Sequence, residues 1–283
     1  MKKSVIIACV SLLAGISAAA QNFEGVVNYN RVTDPAKAMA NNPNAARMRA
    51  QMGNAGAQAS APMIYTLVVK NQESVFKVDP NQDPGENVMV FNGETRRFPR
   101  RLPKDETLYN LETGTFKKYE EYAQQPFQVS GNFQKIRWKV DPTQTRPILG
   151  YECMMATASE SEKRTMPVFN ESGMTMKDTV VTTQITAWFT DAIASSAGPD
   201  KYHGLPGLVL ALDLNDGVVT YVATKVEAKT VSADDLKINS KGKKVNPEQL
   251  DKIKKDHQAE QMKNFRGGPG GGGRPIIVTG SGF

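Results

Sequence analysis

The sequence predicts a mainly β fold: a curved antiparallel sheet or half-barrel with one C-terminal helix. Three observations carry this. Runs of β-branched and aromatic residues recur at hairpin spacing between turn signals from residue 24 to residue 228, with hardly any helical periodicity between them. The dipeptide Asp216-Gly217 separates two apolar runs, a strong hairpin signal because these residues tolerate positive φ. One segment only, 246–265, combines a capping residue (Asn246), a proline suited to the first turn (Pro247) and a thin apolar stripe of Leu250, Ile253, His257 and Met262.

Taken in order, residues 1–20 read as a secretory signal peptide. Lys2 and Lys3 supply the charged start, Val5 to Ile16 the apolar centre, and Ala18 to Ala20 a small-residue cleavage site. Cys9 has too few residues before it for a lipoprotein leader. A β domain follows over 21–245, opening with the strand-like EGVVNYNRVT. Residues 34–61 are rich in Ala, Asn, Gln and Met without strand alternation, and read as an exposed insertion with a helical turn around Ala45 to Met52. Strand patterns resume at PMIYTLVVKNQESVFKV, with Asn71-Gln72 as the turn, and continue to VVTYVATKVEA. The last segment, 266–283, reads as a Gly-rich flexible tail.

Composition narrows the partners. The formal net charge is +6, and losing Lys2 and Lys3 with the leader lowers it further, which is mild for a chain of 283 residues. Nucleic acid is therefore not an expected partner. No segment after the leader is long and apolar enough to cross a membrane as a helix, so an integral membrane protein is not expected. Without the leader one cysteine remains, Cys153, so no internal disulfide is expected. Two histidines and one cysteine spread over a hundred residues show no metal-ligand spacing, and no cofactor is implied.

The stretch SSAGPDKYHGLPGLVLALDLNDG, residues 195–217, carries the most distinctive pattern. A phosphate-binding loop would continue into Lys-Ser/Thr and a helix, whereas Leu208, Val209 and Leu210 begin a strand. Gly204 and Gly207 are expected at positive φ around the rigid Pro206, making one stiff bend. Leu208, Leu210, Leu212 and Leu214 then fall on one face of a strand, delivered into a core or a groove. Tyr202, Gly204, Leu205, Pro206, Gly207, Leu208, Leu210 and Leu212 are accordingly the candidate binding residues. Cys153 reads as a buried small hydrophobe or, with His203 as base, as a nucleophile. The basic run at Arg96, Arg97, Arg100, Arg101 and Lys104 reads as a solvated loop or as a contact for an anionic partner.

GPDKYHGLPGLVLALD resembles the signature of the GLPGLI family, uncharacterised exported proteins of Bacteroidota. Upstream, Trp138, ILGYECMMATA with Gly150, Tyr151 and Cys153, and AWFTDAI with Trp188 are similar to the rest of that family's pattern, as a family core. Phe189 and Val209 depart mildly from it. The resemblance implies export to the cell envelope and no established catalytic activity. The strand pattern is also remotely similar to the half-barrel of outer-membrane lipoprotein carriers, which supports function only by analogy.

The expectation is an exported, non-enzymatic protein, periplasmic or associated with the outer membrane. It would bind an apolar ligand, an acyl chain or lipid-like molecule, in a curved β groove. The alternative is a structural or interaction partner of an outer-membrane assembly. The expected partners are thus a lipid or another envelope protein.

Overall fold

A computed structural model describes residues 22–40, 61–91, 94–170 and 173–267. Its centre is one open curved sheet of 12 strands in the order β14-β8-β7-β6-β3-β2-β1-β13-β12-β11-β10-β9. The strands are β1 (Gly25–Thr33), β2 (Met63–Lys70), β3 (Glu73–Val78), β6 (Glu106–Asn110), β7 (Thr115–Tyr122), β8 (Gln125–Asn132), β9 (Lys139–Ile148), β10 (Tyr151–Asn170), β11 (Gly173–Thr190), β12 (Leu208–Leu214), β13 (Val219–Ala228) and β14 (Lys243–Val245). Strands β4 (Glu86–Phe91) and β5 (Glu94–Pro99) form a separate two-stranded ribbon. Pairing in the sheet is antiparallel except at one edge, where β14 runs parallel to β8. Short hairpin links explain the antiparallel majority, because parallel neighbours need long crossovers.

The expected turns form for the expected reason. Asn71 has φ 54°, and Asn215, Asp216 and Gly217 all lie at positive φ between β12 and β13. Leu149 and Gly150 turn β9 into β10 in the same left-handed region. Gly150 is thus an exposed turn residue and not part of the core, contrary to the expectation from the family pattern. Its neighbours in that pattern do pack inward: Cys153 is fully buried, and Trp138, Tyr151 and Trp188 lie partly buried against the main core.

Side chains alternate across the sheet, so each strand feeds two layers. On the concave side Val27, Tyr29, Leu67, Phe76, Ile185, Ala187, Phe189, Leu212, Tyr221 and Ala223 join one cluster. On the convex side Val68 and Val75 are covered by Val231, with Leu236 and Ile238 beside it, as the chain after β13 crosses behind the sheet. It then rounds the β8 edge as β14 and enters a helix. We number the helices α1 (Pro35–Ala40) and α2 (Pro247–Gly267).

Helix α2 begins as its sequence dictates. The Asn246 side chain accepts from the Gln249 N–H at 2.8 Å, and the Gln249 side chain accepts from the Asn246 N–H at 2.9 Å, a reciprocal cap. Leu250 and Ile253 pack on Phe116, Phe127 and Val129. His257 meets the Tyr122 hydroxyl at 3.2 Å. The helix thus covers one end of the concave face. In the 34–61 segment, Asp34 caps α1 by accepting from the Ala36 N–H at 2.9 Å. The helical turn expected at Ala45 to Met52, the signal peptide expected over 1–20 and the part of the expected Gly-rich tail beyond Gly267 lie outside the described residues.

Candidate functional site

The segment joining β11 to β12, residues 191–207, runs through the concave interior. Ile193, Ala197, Tyr202 and Leu205 are all buried there, Leu205 to 1% exposure. Backbone bonds stitch the segment to itself and to its surroundings: Gly204 N–H to the Ser196 carbonyl at 2.8 Å, Val209 N–H to the Ala197 carbonyl at 3.2 Å, and Phe23 N–H to the Ala194 carbonyl at 2.9 Å. The Trp138 indole N–H donates to the His203 carbonyl at 3.0 Å, holding the 133–138 loop over the segment. Burying four leucines here (Leu205, Leu208, Leu210 and Leu212) stabilises the fold by about 2 kcal/mol each.

The bend has a different construction from the expected one. Gly204 does adopt positive φ, at 91°, with open space where a side chain would stand. Gly207 does not. It is glycine because a β-carbon would overlap the Thr190 carbonyl. The leucine stripe is also interrupted. The β11–β12 register slips between Trp188 and Phe189, pairing them with Ala211 and Val209 and leaving Leu210 without a partner. A bulge of this kind re-aims the residues beyond it. Leu212, Leu214 and Val209 therefore make one row opposite Ala187, Ile185 and Phe189, while Leu208 pairs with Thr190. All of Leu208 to Leu212 are buried, whichever way they point. The Tyr29 hydroxyl takes up the Val209 carbonyl at 2.5 Å beside the bulge.

The candidate residues Leu205, Leu208 and Leu210 thus build the interior and line no open groove. Tyr202 alone of the motif segment's candidates reaches a cavity that remains open beside the filled interior. This cavity, of about 780 Å³, is at the mouth of the curved sheet. Its walls are the 134–137 loop with Lys135 and Arg137, strand β10 with Glu160 and Glu162, and Asp200 to Tyr202. Lys201 pairs with Glu160 at 2.8 Å, and the Tyr109 hydroxyl donates to Asp200 at 3.3 Å. Leu214 and Tyr221 form its apolar floor. The charged residues of this mouth were missed by motif reasoning. The alternation of SESEK at 159–163, which puts Glu160 and Glu162 on one strand face, was the signal available.

Cys153 and His203 have the properties of buried core groups. Burial pushes the Cys153 thiol up to about 11, against a smaller opposite pull from Arg146, so the thiolate is scarce at neutral pH. The His203 ring lies edge-on to Phe133 at 4.3 Å and near Tyr109 at 5.1 Å. Burial pulls its pKa down to about 4. Trp188 carries the Arg146 guanidinium over its ring at 4.3 Å. The basic run is largely ion-paired strand and loop: Arg97 meets Glu86 at 3.2 Å, Arg96 meets Glu94 at 3.5 Å, and Lys104 meets Glu121 at 3.0 Å. Among the described residues no group of three or more His, Cys, Asp or Glu could hold a metal ion, and no helix is long and apolar enough to cross a membrane.

A family model described as "Protein of unknown function (Porph_ging)" matches residues 138–211. That stretch opens at Trp138, contains the whole interior segment, and ends in β12. No curated protein matches the chain. Two solved structures of PNGF-II, in space groups C2 and P21, are similar at 14% identity, with TM-scores of 0.47 and 0.46. Each match covers 82% of this chain but only 32% and 33% of the other, so the chain spans about a third of the length of those proteins.

Proposed function

We propose that the protein is a non-catalytic binding module of the cell envelope, whose site is the charged mouth of the curved sheet. The single observation that carries this reading is the division of the concave face. The chain's own 191–207 segment fills the apolar interior, and the accessible volume left is lined by Lys135, Arg137, Glu160, Glu162 and Lys201. Such a lining suits a polar segment of a partner protein. An acyl chain would have to displace Leu205 and Tyr202 from buried positions. Of the two readings of the sequence, the geometry therefore favours the interaction partner over the lipid carrier. The leader-like residues 1–20 and the resemblance to GLPGLI proteins support an exported setting, periplasmic or at the outer membrane. The raised Cys153 thiol supports the absence of thiol catalysis.

The experiment is photo-crosslinking in intact cells from a reactive side chain placed at Lys135. The expected result is one discrete protein adduct that disappears when Glu160→Lys and Glu162→Lys reverse the charge of the opposite wall. A lipid adduct alone would restore the carrier reading, and no adduct in a folded protein would remove the mouth as a site.

A further inference from the structure

The basic run contains one arginine that the fold treats differently. Arg96, Arg97 and Lys104 meet carboxylates, whereas Arg100, at the base of the β4–β5 ribbon, is half-buried and has no ion-pair partner among the described residues. Its backbone N–H donates to the Gly85 carbonyl at 3.1 Å, and its Nη1 donates to the Ala61 carbonyl at 2.6 Å. Backbone and side chain are thus both anchored, and the charge is not neutralised.

The charged group that acts on Arg100 is a second cation. Arg31 on β1 stands opposite Met63, and Tyr29 opposite Tyr65, so Arg31 and Tyr65 are diagonal neighbours on the concave face. The Arg31 Nε donates to the Tyr221 hydroxyl at 3.1 Å, and its guanidinium lies 5.7 Å from the centre of the Tyr221 ring. Burial lowers the Arg100 pKa, and the Arg31 charge lowers it further. Burial raises the Tyr65 pKa against the pull of both arginines, with Asp200 and Asp105 adding to the rise. Those two carboxylates are engaged elsewhere, Asp105 with Lys118 at 3.3 Å and Asp200 with the Tyr109 hydroxyl at 3.3 Å.

Aromatic packing fixes the third group. Tyr65 stacks on Phe76 at 5.0 Å, and Tyr221 meets both rings edge-on at 6.0 Å. The Tyr65 hydroxyl has no hydrogen-bond partner among the described residues. Two like charges held near each other and partly out of water repel, and a fold that keeps such an arrangement marks a candidate for ligand binding. Guanidinium forks match the oxygens of carboxylates and phosphates. One carboxylate would leave half of this charge unmatched, whereas a phosphate monoester carries close to two negative charges at neutral pH.

We propose that Arg31, Arg100 and the Tyr65 hydroxyl form a binding site for a phosphate monoester group on the concave face. The two guanidiniums share its charge, and Tyr65 donates to one of its oxygens. The site adjoins the charged mouth through Tyr221, which is also part of that cavity's floor, and it stands independently of a protein segment in the mouth. The phosphate group is either free or the headgroup of a membrane lipid.

The test uses the full chain. Inorganic phosphate is titrated by calorimetry. In a second arm the protein is sedimented with phosphatidylcholine vesicles containing phosphatidic acid, a monoester, or phosphatidylglycerol, a diester. Arg100→Gln is expected to weaken phosphate binding by about tenfold or more, and Tyr65→Phe by less. Arg101→Gln removes the same charge from an exposed neighbour and should change nothing. Arg31→Lys keeps the charge without the fork and should weaken binding as well; if it disturbs Tyr221, Arg100→Gln still decides. A preference for phosphatidic acid vesicles that Arg100→Gln abolishes assigns the group to a lipid headgroup. Phosphate binding without that preference assigns it to free phosphate. Neither phosphate binding nor a preference for phosphatidic acid overturns the proposal. So does a loss from Arg101→Gln equal to that from Arg100→Gln, which would reduce the site to a general basic surface.

Discussion

Gly207 stands against the backbone carbonyl of Thr190 so closely that a β-carbon would overlap it. Three residues earlier, Gly204 has open space around it but a φ of 91°. The two glycines of one short motif thus answer two different demands. One permits a close approach of two backbones, the other a left-handed turn.

These demands have separable consequences. Gly204→Ala should cost about 1–2 kcal/mol, the price of a left-handed non-glycine residue. Gly207→Ala has to push the Thr190 backbone aside inside a packed core, and should cost on the order of 3 kcal/mol or more. Urea denaturation of both variants checks the order. Equal losses would mean that the contact with Thr190 relaxes at no cost.

Tyr29 tests the bulge from the opposite side of the core. Its hydroxyl satisfies the Val209 carbonyl at full burial, and burial raises its pKa far beyond the ordinary tyrosine range. Tyr29→Phe keeps the ring but strands a buried acceptor. The expected loss is about 1–3 kcal/mol by denaturation, larger than for a surface tyrosine treated the same way.

His203 gives the fold a pH dependence. Burial lowers its pKa from 6.5 to about 4, so the folded state holds the ring neutral. The unfolded chain takes up a proton below about pH 6.5, and the folded chain only near 4. Stability contributed by the neutral ring is therefore complete above pH 6.5, falls as the pH drops towards 4, and is gone below that. The size is on the order of 3 kcal/mol. His203→Leu should flatten the melting temperature between pH 6.5 and 4.5, leaving the acid loss due to Glu24, Glu121 and Glu227, whose pKa values are lowered. A slope unchanged by the substitution would assign the dependence elsewhere.

What could be read from residues alone follows the range of the interactions. The Asn246–Gln249 cap and the positive φ at Asn71, Asp216 and Gly217 depend on near neighbours, and these turns and the helix start were legible. The bulge at Leu210 was not, because a leucine at every second position reports the local pleat, whereas Tyr29, 180 positions from Val209, helps to settle it. The ribbon of β4 and β5 was half legible: Asn87 to Phe91 has strand character, but the arginines of β5 mask its partner. The charged mouth was illegible as a whole because its three walls and its floor come from separate parts of the chain, from residue 134 to residue 221.

The last expectation concerns how α2 is held on the concave face. Glu120, buried on β7, lies between Lys118 at 2.8 Å and Lys254 of α2 at 2.6 Å, and Lys118 also meets Asp105 at 3.3 Å. Burial opposes both charged forms, yet the attraction wins: the Glu120 pKa is lowered and the Lys118 pKa is raised. Glu120→Gln takes the shared carboxylate from two lysines that are each about a third exposed and leaves Lys118 with Asp105, so it should cost about 1–2 kcal/mol, between the surface and the buried case. Lys254 is about a third exposed, and solvent screens its pair. Lys254→Met keeps the apolar stem and should therefore cost under about 1 kcal/mol. Limited proteolysis within α2 separates the two readings of the network. If Glu120 pins the helix, Glu120→Gln opens α2 to cleavage while the sheet survives. If Leu250 and Ile253 hold it unaided, the cleavage rate follows only global unfolding.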